Sequence, residues 1–161
     1  MRPTVYLDTT IPSYLVARPS RDIIVASRQE LTRQWWQTRR GGYELFISEI
    51  VAAEASLGDP ETAAMRLELM RDLPRLEITT EADDLAAELM EVVGLHENAE
   101  ADLYHLATAV LHEMDYLLTW NCAHLANGRV RHRLERWSLQ KGRFISTVCT
   151  PEELIEEGTI P

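Results

Sequence analysis

Apolar residues along the chain alternate between two kinds of spacing. Short continuous runs occur at 4–7 (TVYL), 43–48 (YELFIS), 75–78 (RLEI), 115–120 (DYLLTW) and 144–149 (FISTVC). Each is too short for a helix, is rich in branched or aromatic residues, and reads as a buried strand. Between them the spacing changes to three and four. From Ser20 to Arg39, the positions Ile23, Ile24, Ser27, Leu31 and Trp35 predict one amphipathic helix, capped by Ser20 and stopped by Gly41 and Gly42. Of the tandem Trp35 and Trp36, one is expected in the core and the other exposed, where it would mark a dimer or partner surface.

Capping signals place the remaining helices. Ser48 suits the N-cap of a helix over 49–56 that carries Glu54, and Asp59 followed by Pro60 opens another that runs through Met70. Thr80 begins a helix ending at Val93 before Gly94, and Asn98 is the expected cap of the next, whose stripe is Leu103, Leu106, Ala107, Val110 and Leu111. Residues 123–140 read as a basic helix with Asn121 as its N-cap, and TPEE at 150–153 reads as a capping box. Pro12 in TTIPS marks a turn after the first strand. Regular alternation of strand and helix predicts an α/β fold: one domain over 1–161, built on a central parallel sheet of about five strands flanked by helices.

Composition narrows the class. With 161 residues, 45% hydrophobic and 26% charged, the chain can bury one core without staples. Its start has no long apolar run, which argues against a secretory or membrane segment and for a cytoplasmic protein. Cys122 and Cys149 lie too far from any ligand cluster for a zinc site and read as free thiols. A net charge of −10 disfavours a polyanionic partner. The charge is unevenly spread, however: Arg129, Arg131, Arg133, Arg136, Lys141 and Arg143 form a basic stretch opposed only by Glu135. Arg18 and Arg21, closer to the first strand, and Arg129 and Arg133 in that stretch are the candidate contacts to a phosphate backbone.

In an open parallel sheet, function collects beyond the carboxyl ends of the strands. Asp8 ends the first strand and Asn121 follows the fourth, so neighbouring positions for those strands would bring the two together. Glu54, from the helix after strand two, and Asp102, from the start of the helix before strand four, can reach the same place. Three carboxylates in one cleft repel one another unless a cation intervenes. An all-oxygen set favours Mg²⁺ or Mn²⁺, ions suited to assisting in-line displacement at phosphorus. His105 and His124 read as packed or hydrogen-bonded histidines outside the metal shell. An aspartyl-phosphate mechanism is disfavoured because the acid usually found two residues after the nucleophile is Thr10.

The motifs YLDTT, SEIVAAE, ADLYHLATAV and DYLLTWNCAH, in this order and spacing, resemble a PIN domain of the VapC toxin type across nearly the whole chain. The resemblance implies an α/β nuclease fold, divalent-metal dependence, RNA cleavage and a small antitoxin partner whose tail blocks the cleft. It places Asp8, Glu54 and Asp102 on the metal-holding acids, with Asn121 where the family has a fourth acid, after Thr119-Trp120. An amide there weakens the case for a second ion. Thr9 and Thr119 are expected to support the carboxylates. The competing expectation is a catalytically weak PIN module that binds RNA or a protein partner.

Overall fold

The computed structural model describes residues 1–95 and 97–155, apart from the side chain of Glu97. Five parallel strands form one sheet: β1 (Thr4–Leu7), β2 (Glu44–Ser48), β3 (Arg75–Leu76), β4 (Tyr116–Leu118) and β5 (Thr147–Cys149), in the order β3-β2-β1-β4-β5. β1 is central. Val5, Tyr6 and Leu7 are all buried, as expected of a strand covered on both faces, and a continuous apolar run is what such a position requires. Val5 pairs with Leu45 on one side and Tyr116 on the other. The strand order reverses between β1 and β4, so the switch point lies between the two strands expected to be neighbours.

The helices are α1 (Thr10–Val16), α2 (Ile23–Thr38), α3 (Glu49–Ala55), α4 (Pro60–Leu69), α5 (Glu81–Val93), α6 (Glu100–Leu111) and α7 (Gly128–Lys141). α1 packs on α2 and α4, while α5 packs on α6 and α7. Ser48 accepts from the Val51 amide and Asp59 from the Thr62 amide, so both expected caps form. α5 ends where Gly94 turns left-handed at φ 67°, leaving the Val93 carbonyl free to accept a 2.5 Å hydrogen bond from Arg133. Among the described residues, no helix is long and apolar enough to cross a membrane.

Several local expectations are corrected. TTIPS is the start of α1 rather than a turn: Pro12 sits in the first helical turn, where its missing N–H would have no intrahelical partner. The cap of α2 is Asp22, whose carboxylate accepts from Ile24 and Val25, while Ser20 accepts from the Asp22 amide. The buried face of α2 carries Gln29, Thr32 and Trp35; Ile23 and Ile24 stand out at 83% and 62% exposure because the first turn overhangs the body. Trp35 is the core tryptophan, but Trp36 is half-buried with the Arg40 guanidinium 4.5 Å from its ring centre, which removes the exposed-tryptophan argument for a dimer. Asn98 lies in a 3-10 turn, and α6 starts from Ala99 without a side-chain cap. The helix expected from 123 begins at Gly128, with Asn127 accepting from Val130. At 150–153, Thr150 donates its amide to Glu153 (2.8 Å), half of the expected capping box, and only a 3-10 turn follows.

The basic stretch on α7 is largely engaged in holding the fold. Glu88 of α5 accepts from the Trp137 indole at 2.9 Å and pairs with Lys141 at 3.4 Å, while Arg131 meets Glu153 at 2.8 Å. The Trp137 hydrogen bond, aided by Lys141 and Arg143 against some burial, holds the Glu88 carboxyl below its ordinary value. A depressed carboxyl stabilises the fold above its unfolded value and loses that contribution as pH falls through the folded one. Glu88→Gln is therefore expected to lower Tm at neutral pH, with the gap to the parent closing below pH 4.5, the ordinary glutamate value, in thermal melts across pH. Cys149 is buried, its thiol pushed up to about 12 by burial first and by Glu153 second, whereas Cys122 is half-buried. Both are free thiols, as expected.

Candidate active site

Asp8 is positioned by the sheet itself. Its amide continues the β1–β4 ladder by donating to the Leu118 carbonyl at 3.2 Å, which carries the carboxylate past the end of the strand. One carboxylate oxygen accepts from the Thr10 amide at 2.9 Å and from the Thr10 hydroxyl; the other accepts from the Thr119 hydroxyl. Asp8 thus anchors the start of α1 through Thr10 and is only 3% exposed. Burial pushes its carboxyl above the ordinary range, against the opposing pull of His105 and the Thr10 and Thr119 donors.

Glu54 comes from the last turn of α3, a helix whose start is fixed by Ser48 at the end of β2. Its carboxylate accepts from the Thr9 hydroxyl and lies 3.2 Å from His105 Nε2 through either oxygen. Burial would raise the Glu54 carboxyl, but the His105 hydrogen bond and charge, with Thr9, more than offset it and hold it below the ordinary range. His105 is itself 3% exposed, and its Nδ1 meets the Tyr6 hydroxyl at 2.7 Å, which in turn lies 2.7 Å from the Ser48 hydroxyl. This chain is satisfied with the imidazole neutral or charged, because both hydroxyls can reverse their donation. Burial lowers the His105 value, yet the hydrogen bond to Glu54 and the charges of Asp8, Glu54 and Asp102 carry it above the usual imidazole range. Three carboxylates thus act on one buried ring.

Asp102 lies in the first turn of α6, where the helix dipole favours an acid. Its carboxylate is held at 2.7 Å by His124 Nδ1, and the two side chains are 22% and 24% exposed. The His124 amide donates to Asn121 Oδ1 at 3.0 Å, and the Asn121 amide donates to the Thr119 hydroxyl at 2.9 Å. A continuous path therefore runs from Asp102 through His124, Asn121 and Thr119 to Asp8. Asn121 does cap, as expected, but it caps a turn over 122–125 rather than the basic helix.

Among the described residues, no group of three or more His, Cys, Asp or Glu side chains stands in an arrangement that could hold a metal ion. Glu54 and Asp102 are each directed at a histidine instead. The chemistry of the donor set nevertheless fits a hard divalent ion: Asp8, Glu54 and Asp102 supply oxygen, and their combined charge exceeds what one imidazolium can balance. Asp8, Asp102, Thr119 and Asn121 enter one network, and Glu54 with Thr9 and His105 forms a second beside it. Of the arginines, Arg133 is bound to the end of α5, Arg129 is exposed in the first turn of α7, and Arg18 and Arg21 are exposed between α1 and α2. Tyr6, Thr10 and the two histidines are not legible as site residues in the sequence; only the three-residue spacing of Asp102 and His105 signals a shared face.

The sequence matches the PIN domain family over residues 5–121, which takes in Asp8, Glu54, Asp102 and Asn121. In fold, the chain is similar to one from the crystal structure of VapBC2 from Rickettsia felis bound to a DNA fragment from their promoter. The match covers 91% of this chain and 98% of that one, with a TM-score of 0.52 at 17% sequence identity. No curated protein matches the sequence. The match over well more than half the chain, and a sheet whose switch point carries Asp8, make this chain a member of the PIN domain family.

Proposed function

We propose that the chain is a divalent-metal-dependent endoribonuclease that hydrolyses RNA phosphodiester bonds at the Asp8 cleft, and that it serves as the toxin of a toxin–antitoxin pair. The observation that carries this reading is the hydrogen-bonded path that ties Asp8, Thr119, Asn121, His124 and Asp102 together, with Glu54 held beside it by Thr9 and His105. Such a network costs stability in the metal-free chain, since a buried carboxylate is expensive to leave without a cation. Asp8, Glu54 and Asp102 would hold Mg²⁺ or Mn²⁺, which when bound supplies positive charge to the phosphate undergoing displacement. Thr10 and Thr119 fix the direction of the Asp8 carboxylate, and His105 and Thr9 that of Glu54. His124 orients Asp102. Asn121 adds no charge, and its carbonyl oxygen is committed to the turn, which favours one ion over two.

An antitoxin partner is supported by likeness to a chain of a VapBC2 assembly. A second reading, a weakly catalytic module that binds RNA or protein, is favoured by the amide at 121 and by the histidine pairing of both flanking acids. Calorimetric titration of the apo protein with Mn²⁺ separates the two. The nuclease reading expects uptake of one ion per chain, abolished in Asp102→Ala, together with RNA cleavage that requires the ion. No heat of binding and no cleavage would leave the binding module.

A further inference from the structure

The cavity between α1 and α2 opens directly beside the carboxylates and has no role in the site as described. We infer that it seats a nucleobase of the bound RNA strand, with Tyr14 as the stacking platform; this rests on the ribonuclease reading above. The cavity has a volume of about 360 Å³ and is walled by Thr9, Thr10, Ser13, Tyr14, Ala17, Val25 and Gln29. That volume falls in the range of small-ligand sites, and an aromatic ring beside Ala17 and Val25, with uncharged hydroxyl and amide residues around them, suits a flat heterocycle.

Location fixes the class of ligand. Thr9 and Thr10 line the cavity with the same side chains whose hydroxyls hold Glu54 and Asp8. A base seated there has its own phosphates at the carboxylates, as cleavage of the strand requires. Charge points the same way. The lining carries no ionised side chain, whereas the neighbouring cleft beside Val16 and Arg18 is lined by Asp59 and Glu61. On a chain of net charge −10, a polyanion meets less repulsion at this mouth than at that acid-lined cleft.

The platform is fixed in advance. Tyr14 stands in a T-shaped contact with Trp120, ring centres 6.2 Å apart, so little side-chain freedom is lost on stacking. Gln29 has both ends of its amide engaged, accepting from the Ser20 amide at 3.0 Å and donating to the Arg18 carbonyl at 3.0 Å. With one N–H and one carbonyl lone pair committed and the residue only 3% exposed, this amide offers a base edge little. The cavity grips by stacking and shape, which tolerates any base.

The test uses the full chain and a fluorescein-labelled RNA decamer of mixed sequence, with Ca²⁺ in place of Mg²⁺ and anisotropy as the readout. Tyr14→Ala is expected to weaken binding about fivefold to a hundredfold, the usual worth of base–aromatic stacking, while Tyr14→Phe stays within about twofold of the parent. Ala17→Leu fills the cavity from the end of α1 and is expected to repeat the Tyr14→Ala loss. It carries the test if Tyr14→Ala fails to fold in a thermal melt. Removing one base from the decamer should weaken binding to the parent but not, beyond the loss already present, to Tyr14→Ala. Parental affinity in both cavity variants, with Asp8-dependent cleavage intact, overturns the inference and leaves the nuclease; that is also the result if the cavity serves an apolar side chain of a protein partner. A parent that binds no RNA overturns both.

Discussion

Asp8→Asn is expected to reduce RNA cleavage by at least about a hundredfold, while the metal-free protein keeps or gains stability, because the two effects have separate physical origins. Activity is lost because an amide carries no charge and is a poor ligand for a hard ion. Stability is kept because Asn presents the same shape to the same donors: its carbonyl oxygen can accept from the Thr10 amide and hydroxyl, and its NH₂ can donate to Thr119. The sign follows from burial. A carboxyl raised above its ordinary value of 3.8 contributes stability only below that pH and loses it as pH rises through the folded value, so at neutral pH an ionised Asp8 without a cation is a liability. Removing that charge is expected to raise Tm by about 2–4 °C for each kcal/mol recovered. Cleavage assays in Mn²⁺ and thermal melts in chelator measure the two halves. Full activity in Asp8→Asn would reject the site, and a sharp fall in Tm would reject the account of its burial.

How much of this was legible beforehand depends on whether the information is local. β1 sits where its apolar run puts it, because a strand buried on both faces leaves little room for polar residues. Ser48, Asp59 and Gly94 act as read, since cap chemistry is settled within a few residues. Two misreadings arose from signals that mean different things in different places. Pro12 breaks a helix interior but is at home in a first turn, and only the start of α1 at Thr10, whose amide donates to Asp8, shows which applies. Ile23 and Ile24 have the right spacing for a core stripe, yet which turn of α2 reaches the body depends on where α1 delivers the chain.

The site divides in the same way. Asp8 and Asn121 are expected together only if the first and fourth strands are neighbours; β1 does lie beside β4, and Thr119 links the two residues. The identity of each acid's partner is not readable in the sequence, because Glu54 with His105 is a contact across 51 residues and Asp102 with His124 one across 22. Tyr6 in particular reads as an ordinary core aromatic in a strand; nothing short of the packed structure shows its hydroxyl between Ser48 and His105. The basic stretch shows how little charge alone says about a residue's role. A row of cations suggests phosphate contact, but Arg131, Arg133, Lys141 and Arg143 all find partners on neighbouring elements.

His105→Ala is expected to damage both stability and metal binding, which distinguishes it from Asp8→Asn. The ring is buried, and its loss leaves a cavity, strips one partner from the Tyr6 hydroxyl and removes the cation-like partner of Glu54. Together these are worth roughly 2–4 kcal/mol, a fall in Tm of roughly 5–15 °C for a chain of this length. Glu54 would then be held by Thr9 alone, and loss of a residue that orients a ligand costs about tenfold to a hundredfold in metal affinity. Tyr6→Phe serves as the control: it keeps the bulk of the ring and the His105–Glu54 contact, and removes only the hydroxyl that joins Ser48 to His105. If His105 orients Glu54 through its own packing, Tyr6→Phe should bind Mn²⁺ within about threefold of the parent; if the whole chain of hydrogen bonds is needed, it should share much of the His105→Ala loss. Unchanged Mn²⁺ affinity in His105→Ala would show that Glu54 needs no such support and would place the histidine in the core rather than in the site.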